Sequence, residues 1–164
     1  MLIRKAKQNE INKIMNIIKK AVSNMISQGI EQWDDIYPNE EVIKRDLYEE
    51  SLYVYYEEMV KGIIVLNEHQ DDEYETVEWK MQYGRPMVIH RLCIDPDYQG
   101  IGIAKAMIDF AEGFAVNNKY DSIRLDAFVY NNKACRLYEG KGYKRVGVVN
   151  FRKGPFYCYE KYIV

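Results

Sequence analysis

The chain is poor in the residues that metal sites and disulfide frameworks require. Three cysteines, Cys93, Cys135 and Cys158, and two histidines are spread through 164 residues. No CxxC pair occurs, which argues against a structural zinc site and against a small disulfide-stapled fold. Cysteines so scattered read as reduced, with Cys93 and Cys135 serving as small buried apolar residues. No metal is expected. No apolar run approaches the about 20 residues of a membrane span, and the opening MLIRKAKQNE lacks the apolar stretch of a secretory leader. A cytoplasmic protein without a membrane partner is the expectation. Excess charge is missing too: the formal net charge is −2 and the pI about 5.8. Nucleic acid is therefore not expected as a partner, since phosphate neutralisation needs a basic face. Internal repeats, low-complexity tracts and linkers are absent, so a single domain over 1–164 is expected, long enough to build its own core.

What the chain does have is tyrosine, 15 of them, so that no one tyrosine is distinguished by its type. Periodicity divides the rest. Leu2–Ala6 reads as a strand, and Asn9–Ser27 as a helix whose apolar face runs Ile11, Ile14, Met15, Ile18, Val22. A loop through Trp33 and Tyr37 ends at Pro38, after which Asn39 is placed to cap a second helix reaching about Glu50. Leu52–Tyr56 and Val60–Asn67 read as paired strands, and His69–Arg85 as a loop with at most a short turn or strand near Tyr74–Lys80. Met87–Ile94 is a strand closed by Asp95-Pro96, Gly100–Asn117 a helix, and Ser122–Val129 an alternating strand. Asn131–Gly140 is a short helix, followed by strands at Tyr143–Phe151 and Pro155–Ile163. Strands alternating with helices in this order predict an α/β protein: a mixed sheet of about seven strands flanked by about four helices.

Two segments carry chemistry. In the first, Gln99-Gly100-Ile101-Gly102-Ile103-Ala104 joins a strand to a helix. Glycines allow close backbone approach, and successive N–H groups from about Gly100 to Lys105 can face a phosphate at the helix start. A plain glycine turn would use the same residues. A dinucleotide fingerprint fits poorly, because Lys105 stands where its third glycine belongs. The second segment is Asn131-x-x-Ala134-x-x-x-Tyr138-x-x-x-Gly142-Tyr143.

Together these segments, covering about a third of the chain, resemble the GCN5-related N-acetyltransferase (GNAT) superfamily. The first fits its pattern Q/R-x-x-G-x-G/A and the second its N-x-x-A-x-x-x-Y-x-x-x-G-F/Y. The resemblance implies a splayed, GNAT-like sheet and acetyl-CoA as co-substrate. It places the pyrophosphate on Gln99, Gly100, Ile101, Gly102, Ile103, Ala104 and Lys105, and the cofactor arm along Leu92, Cys93, Ile94, Asn131 and Arg136. A backbone N–H near Cys93 or Ile94 would polarise the acetyl carbonyl. Tyr138 would protonate the departing thiolate, as a phenol near pKa 10 can. The base in the family lies on the strand before the loop, where His90 is the one group titrating near neutrality; a histidine packed in the sheet is the other reading. By strict alternation His90 shares a face with Leu92 and Ile94, and Arg91 points away.

The expected activity is transfer of an acetyl group to a primary amine, small-molecule or peptide, by direct attack in a ternary complex. A non-catalytic acyl-CoA-binding module is the alternative. Trp33 and Tyr37, beside Glu31, Asp34 and Asp35, are candidates for acceptor binding, because aromatics beside acids suit a cationic amine. The apolar C-terminal segment GPFYCYEKYIV reads as a strand that lines the acceptor pocket or a dimer contact; a monomer and a homodimer both remain open.

Overall fold

A computed structural model describes residues 1–163. Seven strands and four α-helices follow the expected order: β1 (Leu2–Lys5), α1 (Ile11–Ser27), α2 (Glu40–Tyr48), β2 (Leu52–Glu57), β3 (Met59–Asn67), β4 (Pro86–Ile94), α3 (Ile103–Asn117), β5 (Ser122–Phe128), α4 (Asn132–Gly140), β6 (Lys144–Phe151) and β7 (Gly154–Tyr162). The strands hydrogen-bond in the order β1-β2-β3-β4-β5-β7-β6. β1/β2, β2/β3, β5/β7 and β6/β7 are antiparallel, and β4/β5 is parallel. This is the mixed seven-stranded sheet of the GNAT-like class. The parallel ladder runs from Pro86↔Ser122 to Val88↔Arg124, the first three residues of each strand, which is the splay expected. Among the described residues no helix is long and apolar enough to cross a membrane.

The chain forms two compact units. The first holds Met1–Leu66 and Arg91–Phe110. Its core is the inner face of α1, with Ile14, Ile17 and Ile18 buried, set against Ile43 of α2 and Leu52, Val54, Ile63 and Val65 of β2 and β3. Each such side chain contributes about 1.5–3 kcal/mol by leaving water. Asn39 caps α2 as expected, its side chain accepting from the Val42 N–H at 3.0 Å.

The second unit holds Asn67–His90 and Ala111–Val164, of which Val164 lies outside the described residues. Its centre is β7, paired with β5 on one side and β6 on the other. The aromatic C-terminal segment is therefore an interior strand. The segment before β4 holds one short 3-10 turn, Asp72–Thr76. It is strapped to β5 by two side chains of that strand: Tyr74 donates to Asp126 at 2.7 Å, and Arg124 donates to the Met81 carbonyl at 2.8 Å.

Candidate functional site

In the first unit, β4 ends where Asp95 caps a short 3-10 turn, Pro96–Tyr98. The Asp95 side chain accepts from the Asp97 N–H at 3.1 Å and from Lys20 Nζ of α1 at 2.7 Å. Burial works to raise this carboxyl, and Lys20, the Asp97 amide and Lys13 together hold it below the ordinary carboxylate range. Gln99 turns its side chain back, donating to the Ile94 carbonyl at 3.3 Å. The end of the strand and the start of the loop are thus fixed before the glycines begin.

Gly100 and Gly102 have φ of +79° and +92°, and a Cβ built on either would meet nothing within 4 Å. α3 starts at Ile103, three residues later than its sequence pattern suggests, because these left-handed residues cannot be helical. The loop therefore opens onto a 15-residue helix whose first amides have no carbonyl of their own helix to bond. Left-handed glycines with open space, followed by unpaired amides and the positive end of a helix dipole, fit a diphosphate. Gly100, Ile101, Gly102 and Lys105 are exposed, and Ile103 is buried and anchors the helix.

The same unit contains a feature that alternation conceals. Arg91, in the middle of β4, has φ +49°, a conformation that costs a non-glycine residue about 1–2 kcal/mol. It interrupts the period of two, so the face shared by His90 and Leu92 cannot be read across it. Its guanidinium grips Asp46 of α2 with both arms, at 2.7 and 2.6 Å, and donates to the Tyr37 hydroxyl at 2.8 Å. Asp46 is 1% exposed. Burial pushes its carboxyl up while Arg91 pulls against it. Sequence reasoning set Arg91 aside and missed Asp46. The available signal was a carboxylate at i+3 from Ile43, on the apolar side of an amphipathic helix.

The loop before α2 separates its two aromatic candidates. Asp34 Oδ1 accepts from the N–H groups of Ile36 and Tyr37 at 3.0 and 3.1 Å, closing a turn. Trp33 packs into the core at 8% exposure, whereas Tyr37 is 39% exposed.

In the second unit, half-buried His90 has Nε2 2.8 Å from Asn67 Oδ1 and 3.1 Å from the His69 carbonyl. The His69 N–H also donates to Asn67 Oδ1, at 2.9 Å, which fixes that amide's orientation. Nε2 thus faces two acceptors and is placed to donate.

α4 places the second motif. Asn131 is its N-cap, accepting from the Ala134 N–H at 3.2 Å. Two turns on, Tyr138 is 7% exposed, its ring against Tyr143 and Tyr159. Burial first, and the Asp126 charge second, raise this phenol well beyond its ordinary value, so it keeps its proton throughout the neutral range. Arg136, on the same helix, is exposed. Cys93 is buried, and burial pushes its thiol up to about 12, which removes it as a thiolate nucleophile at neutral pH.

Comparison with known proteins bears on the family and the fold. The Acetyltransferase (GNAT) family model matches residues 13–143. An acetyltransferase of the GNAT family from Streptococcus agalactiae 2603 superposes with a TM-score of 0.87 at 25% identity, over 98% of this chain and 94% of that one. N-acetylaspartate synthetase of Xenopus tropicalis is 43% identical over 67 residues, 41% of this chain and 25% of that protein. The Danio rerio N-acetylaspartate synthetase is 33% identical over 88 residues, 54% of this chain and 27% of that protein. The matches thus span about a quarter of the length of these two curated relatives. The chain belongs to the acetyltransferase (GNAT) family.

Proposed function

We propose that the protein transfers an acetyl group from acetyl-CoA to a primary amine by direct attack in a ternary complex. The observation that carries this reading is the pair of left-handed glycines, open where a Cβ would stand, immediately before α3. Acetyl-CoA supplies a thioester already activated for transfer. The amides from Gly100 to Lys105 hold its pyrophosphate, with Gln99 and Ile101 to Ala104 shaping the loop. Leu92, Cys93, Ile94, Asn131 and Arg136 lie along its arm, and an amide at Cys93 or Ile94 polarises the acetyl carbonyl. His90 receives the proton that the amine must lose. As the new C–N bond forms and the C–S bond breaks, Tyr138 gives its proton to the sulfur. Its raised pKa means that the donor is still protonated when the step begins. Tyr37 contributes to the acceptor's pocket, with Trp33 supporting the loop from the core. Buried Cys93 leaves no thiolate to carry the acyl group, in keeping with direct transfer.

The test is a thermal-shift comparison of acetyl-CoA, CoA and NAD, followed by assay of CoA thiol release against a panel of amines. Stabilisation by the two CoA species, and amine-dependent thiol release, are expected. Binding without release to any amine favours a non-catalytic acyl-CoA-binding module, and stabilisation by NAD alone overturns the reading.

A further inference from the structure

Tyr37 sits at the exposed end of a chain of polar contacts that begins in the core. Asp46, buried on α2, takes both of its hydrogen bonds from Arg91, and Arg91 spends a further N–H on the Tyr37 hydroxyl at 2.8 Å. The Arg91 side chain is itself only 10% exposed. A guanidinium has donors and no acceptor. The Tyr37 oxygen must therefore be the acceptor in that contact, and its own hydrogen is left to donate elsewhere. The charged side chain that hydrogen-bonds Tyr37 is a cation, whereas Asp34, three residues before it, is engaged by the Ile36 and Tyr37 amides in closing the turn. A hydroxyl backed by an arginine and free to donate selects an oxygen with lone pairs and disfavours a second ammonium.

We infer that the acceptor carries a carbonyl or carboxylate oxygen beside its amine, and that Tyr37, polarised by Arg91, donates a hydrogen bond to that oxygen. This rests on the reading above that the loop before α2 meets the acceptor. It narrows the acceptor from amines in general to amines of the α-amino acid pattern, either free amino acids or peptide N-termini. It also replaces the expectation that the acids of this loop, beside its aromatics, are what suit it to a cationic amine. Asp46 and Arg91 act as positioning residues, since they reach the acceptor only through Tyr37.

The experiment measures CoA thiol release at saturating acetyl-CoA for matched acceptors: free L-amino acids, the corresponding amides and dipeptides, the decarboxylated amines, and spermidine. Wild-type protein is expected to prefer a carbonyl-bearing acceptor over its decarboxylated partner by about tenfold or more in kcat/KM, the scale of one charge-assisted hydrogen bond. The order of free acid against amide and dipeptide then tells an amino acid from a peptide N-terminus. Tyr37→Phe, at an exposed position, should raise the acceptor KM and bring that ratio close to one. Equal or better use of the decarboxylated amines or spermidine overturns the inference, as do an undiminished ratio in Tyr37→Phe and a protein that binds acetyl-CoA yet acetylates none of the panel. A protein that does not bind acetyl-CoA overturns instead the acetyltransferase reading on which the inference rests.

Discussion

Tyr138 shows how much of one residue's chemistry is set by what surrounds it. A phenol in water loses its proton near pH 10; this one, buried beside Asp126, holds it further into the alkaline range. Tyr138→Phe is expected to lower kcat by about 100-fold or more while acetyl-CoA binding, measured by calorimetry, stays as in the wild type. The sign of the pKa shift gives a second expectation. A raised donor remains protonated, so kcat of the wild type should show no fall from loss of that proton as pH rises to about 10. The base role proposed for His90 concerns the opposite limb: a base must be unprotonated, so kcat is expected to rise with pH, and His90→Ala should flatten that rise. An unchanged profile in His90→Ala would pass the role to another group. At this scale the sequence was informative where a residue's role depends on its near neighbours. The spacing of Asn131, Ala134 and Tyr138 is local: Asn131 caps α4, and the other two lie on it. Arg91 was illegible for the converse reason. Its guanidinium is held by a carboxylate 45 positions away, and no pattern within the strand discloses that.

At the scale of elements, the segments with a local stop or start were found closely. Asn39 and Asn131 cap the helices they precede, because an N-cap is a contact between a side chain and an amide two or three residues on. α3 was placed three residues early, since apolar spacing continues back through Ile101 while the left-handed glycines do not. Trp33 reads as a candidate for acceptor binding in an acidic loop, but it packs in the core, next to the turn that Asp34 closes. The glycine loop gives the prediction that belongs here. Gly102→Ala places a side chain on a left-handed residue with φ +92°, which costs about 1–2 kcal/mol, and its methyl enters the space where the diphosphate would approach. The acetyl-CoA-induced rise in melting temperature should shrink markedly in this variant, together with a modestly lowered melting temperature of the free protein. An undiminished rise would remove the loop from the binding reading.

For the molecule as a whole, carboxylates held low by cations set the response to acid. Glu10 is held down first by its hydrogen bond from Arg4, and Asp95 by Lys20, the Asp97 amide and Lys13 against its burial. A group whose pKa is lower folded than unfolded stabilises the fold above its unfolded value, about 4, and that contribution is lost as pH falls through the folded value. Stability should therefore hold down to about pH 4 and decline below it. Lys20→Met, which removes the nearest cation from Asp95, should begin that decline at a higher pH in an acid titration followed by circular dichroism. Ligand adds to the same balance by mass action: acetyl-CoA at about 100 times its Kd is expected to contribute about 2.7 kcal/mol, or several degrees in the melting temperature of a chain this size.

The left-handed residue in β4 has one more consequence, for how the strand tolerates change. Met87, Val88 and Ile89 are buried in succession before the left-handed Arg91, and Cys93 and Ile94 in succession after it. The strand is a phrase in two metres. Its opening half keeps time with β5, through the ladder at Pro86 to Val88, and its closing half with β3, through the Asp95 N–H on the Lys61 carbonyl at 2.8 Å. Each half can then exchange its apolar residues to suit its own neighbour without shifting the other's register, and the residue at the junction is the one least open to exchange.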